Sequence, residues 1–422
     1  MKTKTNAKPH TQPKPSVPHE DFLNNYVEYA DIFESPPDAH LAVAMSLIAA
    51  TVNGNVWIQN GGQRVTLDTW TLLLSGSGVG RNTLLTMARP VVQGADMESL
   101  IRNTSWGSKQ AFYQDLAERH KGLFIWEELS ASLKALSDPR FAEAKKWLTN
   151  IYDNEGIPQA LIYRKNGSSS KNTEPIVFTQ APRTNILATS SKEWFVNSIT
   201  HEDSMGGFVP RWFLVDMPDL GRSIPVPNEP DASLIEPLTE RLIAVKDLAG
   251  PVDLSRVRSL YEDWYRAAQQ RFDSQPNKSL AKAYWNRHRV HLLKLAAILS
   301  ISEACSLSVA PDSMDRAIKM AATAESTIFE LLPTGMSHEG AEIDKVARAI
   351  LGAGPKGMLR SEFTGTFQYI PEHLRESRLR TLVDAGTITV FRRSGAGRPA
   401  EVFVHKQHLE CHKEAHLQDT EI

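Results

Sequence analysis

Short apolar runs alternate with segments of helical periodicity along the first half of the chain. The apolar residues from Leu41 to Val52 predict a helix. Two apolar triplets, 56–58 and 65–67, flank Asn60-Gly61-Gly62, which predicts a β-hairpin. Further strands are predicted at 70–74, 122–126, 176–178, 185–189 and 213–215, with helical stretches between them. This alternation predicts an α/β domain over residues 22–220.

The second half of the chain has a different pattern. Residues 221–233 contain three prolines and predict a loop, and helical periodicity over 284–300 and 314–331 then predicts a helical lid domain at 221–335. Residues 340–407 predict three helices followed by two strands, which is the outline of a winged helix. The chain is expected to begin with a disordered basic tail (1–21), because prolines there prevent regular structure, and to end with a polar tail (408–422).

Composition limits the class of protein. The 422 residues are enough for two or three domains. The 47 Lys and Arg nearly balance the 49 Asp and Glu, for a net charge of −2, so nucleic-acid binding would need local basic patches. Two cysteines exclude a disulfide scaffold and suit a reducing compartment. With no apolar run long enough to span a bilayer, a cytoplasmic location is expected.

A glycine-rich loop follows the strand predicted at 70–74 and precedes a helix predicted at 84–92. Its backbone N–H groups and the helix N-terminus can hold an oligophosphate such as that of ATP, although a glycine-rich turn without a ligand is the alternative. The loop resembles the Walker A pattern, with Ser75 in place of the first glycine and Arg81 in place of the lysine. Thr83 would supply a hydroxyl to Mg²⁺. The candidate ATP-binding residues are Gly76, Ser77, Gly78, Val79, Gly80, Arg81, Asn82 and Thr83.

An acidic pair, Glu127 and Glu128, ends the apolar strand at 122–126. In a Walker B arrangement one acid holds Mg²⁺ and the other activates the attacking water. Glu127 is accordingly the metal candidate and Glu128 the candidate base. A run of apolar residues ending in two acids is common by chance, so this prediction depends on the preceding loop.

Three further segments are candidates for functional roles. Thr189 ends the strand at 185–189 and is expected to lie between the other two strands and orient water. A hairpin predicted over 161–176 carries Arg164, Lys165 and Lys171, which could contact single-stranded DNA. Arg211 follows a Gly-Gly turn and could act in a neighbouring subunit as an arginine finger. Arg287, Arg289 and Lys294 lie on a predicted lid helix and are candidates for contact with the γ-phosphate.

The order of these motifs resembles AAA+ helicases with a hairpin before sensor 1, such as the MCM-like helicases. More closely, the sequence resembles the phage and plasmid P-loop ATPase family that is often fused to primase-polymerase domains. The segments at 127–130, 206–211 and 287–297 carry this resemblance, which covers residues 30–330. It implies a P-loop NTPase core of AAA+ type. It also implies ATP- and Mg²⁺-dependent work on DNA by a homo-oligomeric ring such as a hexamer, with a primase or other mobile-element proteins as partners, in a bacterial or phage-infected cell.

The predicted winged helix adds a second DNA-binding candidate. Residues 356–398 contain eight Lys and Arg but only four Asp and Glu, so this segment carries a net positive charge. A helix that reads the major groove and a basic wing on phosphate are the expected docking elements. The candidate DNA-binding residues are Arg375, Arg378 and Arg380 on the recognition helix and Arg392, Arg393 and Arg398 in the wing.

The sequence therefore predicts a DNA helicase or translocase that acts in replication of a mobile element. Two alternatives stay open. Arg81 and Asn82 also suit a DNA-binding adaptor or initiator that binds ATP as an assembly switch without efficient hydrolysis. A small-molecule kinase would match the Arg-Asn-Thr segment, but no acceptor site is recognisable and a winged helix argues against it.

Overall fold

A computed structural model describes most of the chain, namely residues 21–52, 54–76, 83–102, 108–136, 144–153, 160–161, 175–217, 223–331, 338–393, 399–415 and 419–421. Up to residue 217 the elements are α1 (Phe22–Ala30), α2 (Pro37–Val52), β1 (Val56–Asn60), β2 (Gln63–Thr66), β3 (Trp70–Ser75), α3 (Ala88–Gly94), β4 (Ile101–Arg102), α4 (Lys109–Glu118), β5 (Leu123–Trp126), α5 (Leu129–Leu136), α6 (Ala144–Asp153), β6 (Ala160–Leu161), β7 (Ile176–Val177), β8 (Asn185–Ser191), α7 (Lys192–Ser198), α8 (His201–Met205) and β9 (Trp212–Asp216).

The remaining elements are mostly helical. They are α9 (Ile235–Lys246), β10 (Gly250–Pro251), α10 (Arg258–Asp273), α11 (Lys278–Ala304), α12 (Pro311–Leu331), α13 (His338–Gly352), β11 (Met358–Leu359), α14 (Arg360–Thr366), α15 (Glu372–Asp384), β12 (Ile388–Arg393), β13 (Ala400–His405), α16 (Leu409–Ala415) and β14 (Thr420–Glu421). Among the described residues, none of these helices has the length and apolar character needed to cross a membrane.

A five-stranded parallel sheet organises the first part of the chain, in the order β4-β5-β8-β3-β9. Every residue of β3 is buried, as expected for a parallel strand that is covered on both faces. The apolar helix α2 packs against four of these strands and is itself almost wholly buried. The α/β prediction is confirmed, and so is the hairpin formed by β1 and β2.

Two predicted elements differ in detail. The strand predicted at 176–178 is present but ends one residue earlier, at Val177, and it pairs with β6. The helix predicted at 84–92 begins later, at Ala88, after a stretch of turns. Pro90 explains the later start, because proline is tolerated in the first turn of a helix and disrupts the interior.

Helices α9–α12 share the core of the sheet. The buried apolar residues from Phe22 to Leu331 form one continuous cluster, which includes the inward faces of α11 and α12. The boundary predicted at residues 220 and 221 therefore does not separate two hydrophobic cores among the described residues.

The C-terminal segment has a core of its own. Helices α13, α14 and α15 pack around Val346, Ile350, Phe363, Leu379 and Phe403. Strands β12 and β13 form an antiparallel hairpin, with β11 and β14 at the edges of the same small sheet. The three helices and following hairpin expected from the sequence are thus present.

Candidate functional site

The carboxyl end of the parallel sheet brings three predicted motifs together. Strand β8 lies between β3, which precedes the glycine loop, and β5, which precedes the acidic pair. Ser75 pairs with Ser191, and Trp126 pairs with Ala188. The expectation that the polar end of this strand lies between the other two is confirmed. Ligands of open α/β sheets bind at this edge.

Glu128 is held by hydroxyl groups from two elements. Ser190 donates to its Oε1 over 2.7 Å, and the Ser130 hydroxyl donates to the same oxygen over 2.5 Å. The Ser130 backbone N–H lies 3.3 Å from this oxygen, because Glu128 immediately precedes α5. A carboxylate at a helix N-terminus is stabilised by the helix dipole. The arrangement therefore gives the candidate base a defined orientation.

Thr189 connects to the other acid through the backbone. Its Oγ1 donates to the main-chain oxygen of Glu127, and the side chain of Glu127 is exposed. Thr189 itself is buried. The hydroxyl therefore fixes the end of β5 relative to β8, and its predicted action on water stays a prediction.

The glycine loop is described only at its two ends. Gly76 is exposed after β3, and the Thr83 Oγ1 lies 3.1 Å from the hydroxyl of the buried Ser35. The intervening candidates lie outside the described residues: Ser77, Gly78, Val79, Gly80, Arg81 and Asn82.

Thr83 and Glu127 carry side-chain oxygens of the kind that nucleotide-bound Mg²⁺ takes from a protein. Among the described residues no group of three or more His, Cys, Asp or Glu side chains could hold a metal ion. Mg²⁺ in nucleotide sites takes only one or two protein oxygens and completes its shell with phosphates and waters. One hydroxyl and one exposed carboxylate are the types of ligand that a metal arriving with a nucleotide takes from a protein.

Arg211 lies at the opposite, amino end of the sheet, directly before β9. Its side chain is only 8% exposed and contacts the Asp153 carboxylate and the main-chain oxygen of Gly207. Gly207 has a φ of +83°, and a Cβ there would lie 2.6 Å from this guanidinium. The Gly-Gly turn thus makes room for a buried arginine. In this arrangement Arg211 is occupied within its own chain and is not presented to a neighbouring subunit.

A second arginine that pairs with Asp153 is Arg287, which the sequence analysis gave as a candidate for contact with the γ-phosphate. Arg287 binds the two carboxylate oxygens over 2.9 and 3.0 Å. Lys294 lies at the same end of the sheet and donates to the main-chain oxygen of Asp68 over 2.6 Å. These residues therefore lie at the edge of the sheet opposite the glycine loop of their own chain, and their contact with a γ-phosphate stays a prediction.

Burial shifts the pKa of two basic groups at this amino end. Desolvation lowers the pKa of Lys294 to about 8, although Asp68 and Asp153 partly oppose the shift. Desolvation also holds the pKa of His291 well below its usual value, with a contribution from Lys294. His291 Nε2 lies 3.2 Å from the main-chain oxygen of Arg211, so the charged groups form one connected cluster.

The hairpin predicted over 161–176 is confirmed at its base, and its contact with DNA stays a prediction. Leu161 pairs with Ile176, which closes an antiparallel pair between β6 and β7. Its basic tip, with Arg164, Lys165 and Lys171, lies outside the described residues.

Several basic residues of the C-terminal segment have structural partners. Arg378 is buried and donates to Glu342 over 3.2 Å, which joins α15 to α13. Arg375 donates to the main-chain oxygen of Ile370 over 2.7 Å, and Arg393 pairs with Asp419 over 2.9 Å. The prediction that Arg378 contacts DNA is corrected accordingly, because contact would break a buried ion pair.

Two exposed arginines are the better DNA-binding candidates in this segment. Arg380 on α15 and Arg392 on β12 have exposed side chains. Arg398 lies outside the described residues.

Some residues of the site were not recognisable in the sequence. Nothing marks Ser35 as a neighbour of Thr83, because the two are 48 positions apart. Asp153 ends an amphipathic helix like many other acids, and its two arginine partners are 58 and 134 positions away. Only the tertiary structure reveals these contacts.

No protein-family model matches the chain, and no curated protein matches it significantly.

Proposed function

We propose that this protein is an ATP-dependent DNA helicase or translocase of a mobile element, which works as a homo-oligomeric ring in DNA replication. The observation that carries the proposal is the meeting of three motifs at the carboxyl end of the sheet. The glycine loop, the acidic pair and the polar end of β8 come from three adjacent strands. The motif order that resembles phage and plasmid P-loop ATPases supports the same proposal.

Each residue of the site has a distinct role in the proposed hydrolysis. The loop from Gly76 to Thr83 would bind the phosphates through backbone N–H groups, and Arg81 would add a positive charge. Mg²⁺, held by Thr83 and Glu127, would neutralise charge on the phosphates. Glu128 would accept a proton from the attacking water.

The hydroxyl groups around the acids would position them for this chemistry. Ser130 and Ser190 both donate to Oε1 of Glu128, which would fix the orientation of this carboxylate toward the attacking water. Thr189 holds the backbone of Glu127. Fixing a catalytic group in its productive orientation contributes to rate because less order is lost in the transition state.

The DNA-binding part of the proposal rests on the C-terminal segment and the central hairpin. A three-helix unit with a β-hairpin suits a winged helix, and Arg380 and Arg392 are its exposed basic residues on the helix and the wing. Arg164, Lys165 and Lys171 would contact single-stranded DNA from the tip of the hairpin. Action of Arg211 in trans would require Asp153 to release it when subunits assemble.

The alternative function is a DNA-binding adaptor or initiator that uses ATP as an assembly switch. Arg81 and Asn82 at the end of the glycine loop favour it, because arginine keeps the charge of the usual lysine but not its compact shape. In that case nucleotide would bind and turnover would be absent.

ATP hydrolysis by the full chain, with and without single-stranded DNA, separates these functions. The key variant is Glu128→Gln, and Glu229→Gln in an exposed loop is its matched control. We expect hydrolysis that rises with DNA, persists in the control and is lost in Glu128→Gln. Binding of ATP without turnover would favour the adaptor. Absence of both nucleotide binding and assembly in folded protein would refute the proposal.

A further inference from the structure

A basic cleft lies at the amino end of the parallel sheet, away from the glycine loop. It has a volume of about 640 Å³. One wall is the hairpin of β1 and β2, and the other is the first half of α11 together with the end of α6. Clefts of this size hold ligands as large as a nucleotide.

The charges that line the cleft are strongly unbalanced. Arg64, Arg287, Arg289 and Lys294 line it, and Asp153 is the one carboxylate among the described residues that do so. Asp153 already pairs with Arg287. Among the described residues neither Arg64 nor Arg289 has a carboxylate partner, and the Nε of Arg289 is buried without a hydrogen bond. Two arginines are therefore left to bind an anion.

The floor of the cleft is polar and buried. Tyr152 is 6% exposed, and its hydroxyl has no hydrogen-bond partner among the described residues. The Lys294 ammonium lies 4.0 Å from the centre of the Tyr152 ring. The exposed amides of Asn60 and Asn286 at the rim add further hydrogen-bonding groups.

The cleft and the glycine loop are separate sites. Lys294 contacts Asp68 before the start of β3, whereas the loop follows the end of β3. A strand rises about 3.3 Å per residue, so the two ends of this strand are about 16 Å apart. One phosphate group cannot occupy both.

We propose that this cleft is a second binding site, which takes a small phosphorylated ligand of nucleotide size. Arg64 and Arg289 bind its phosphate oxygens in the manner of paired arginines on phosphate. Tyr152 forms part of the floor beneath the ligand, and the amides of the rim contact the remainder of the ligand. The site does not depend on ATP hydrolysis at the glycine loop.

Calorimetric titration of the full chain with inorganic tripolyphosphate, without Mg²⁺, tests this site. The cleft variant is Arg64→Gln with Arg289→Gln, which breaks no ion pair among the described residues. Asn286→Asp adds a negative charge to the rim and serves as a second cleft variant. Arg81→Gln tests the glycine loop. Arg258→Gln is the matched control, since this arginine is 81% exposed and, within the described part of the chain, its ion pair is with Glu262 on its own helix.

The wild-type chain is expected to bind tripolyphosphate at two sites. Arg81→Gln retains one of them, and both cleft variants weaken that site by about 10- to 100-fold, the usual effect of losing charged hydrogen bonds. Tighter binding of ATP than of tripolyphosphate would identify a nucleotide as the ligand, and equal binding would identify the phosphate chain. If the glycine loop binds nothing, one site that is insensitive to Arg81→Gln still supports the cleft.

Three results would overturn the proposal. Cleft variants that bind like the wild type would show that these residues do not hold the anion. A single site abolished by Arg81→Gln would assign all binding to the loop. Binding of a single-stranded oligonucleotide that requires Arg64 and Arg289, with no binding of tripolyphosphate, would assign the cleft to nucleic acid.

Discussion

Asp153 is the position where one substitution should reveal most about the amino end of the sheet. Its side chain is 16% exposed and forms ion pairs with Arg211, which is 8% exposed, and with Arg287, which is 32% exposed. Asp153→Asn would remove the negative charge and leave both guanidinium groups without a counter-ion. Breaking a buried ion pair by removing one partner costs about 3–5 kcal/mol of unfolding free energy.

The two arginines should be less sensitive than the carboxylate they share. With Arg287→Gln, Asp153 still pairs with Arg211, and the lost pair is one-third exposed. Solvent screening reduces such a contribution to about 1 kcal/mol. Arg211→Gln should have an intermediate effect, because it leaves the part-buried main-chain oxygen of Gly207 without this donor while Arg287 still neutralises Asp153.

Equilibrium unfolding in urea, followed by tryptophan fluorescence, measures these differences. The expected order of destabilisation is Asp153→Asn, then Arg211→Gln, then Arg287→Gln. Glu229→Gln in an exposed loop is the control and should leave the midpoint unchanged. A loss for Asp153→Asn no greater than that for Arg287→Gln would refute the reasoning, since it would mean that the carboxylate does not neutralise both arginines.

Three other predictions concern different parts of the protein. The pKa of Lys294 is lowered to about 8 in the folded chain, compared with about 10.5 in the unfolded chain. The free energy of unfolding should therefore rise with pH across that interval, by at most about 1.4 kcal/mol per pH unit. Lys294→Met should remove this rise when urea midpoints are compared at pH 7.5 and 9.5. Gly207→Ala should destabilise by about 1–3 kcal/mol in the same assay, because its φ of +83° is strained for alanine and its methyl group would meet Arg211; a change below about 0.5 kcal/mol would contradict that view. Ser190→Ala should lower the kcat of the proposed ATPase by about 10-fold with little change in KM, since Glu128 loses one of its hydroxyl donors, and an unchanged kcat would argue against this orientation.

Much of the fold could be predicted because it is encoded locally. The apolar run of α2, the Asn-Gly-Gly turn between β1 and β2 and the apolar strand β3 each depend on neighbouring residues. The three helices and hairpin of the C-terminal segment follow from the same kind of pattern. Where a local prediction failed, at the start of α3, a single proline accounts for the difference.

The candidate site was predicted in part. The glycine loop and the acidic pair were visible as sequence motifs, and the parallel sheet places their strands beside β8. The roles expected of Arg211 and Arg378 depended on exposure, which a motif cannot show. Both side chains are buried in ion pairs with acids far away in the sequence.

The sequence by itself determined which segments become helices and strands and where loop, acid and hydroxyl groups follow the strands, because backbone propensity and the spacing of apolar residues are local properties. Only the tertiary structure decided which charges meet. The contacts of Asp153 with Arg211 and Arg287 join residues that are 58 and 134 positions apart. Desolvation is a property of the packed chain, so a basic residue becomes a buried partner, an exposed contact or the wall of a cleft only when the whole fold is in place.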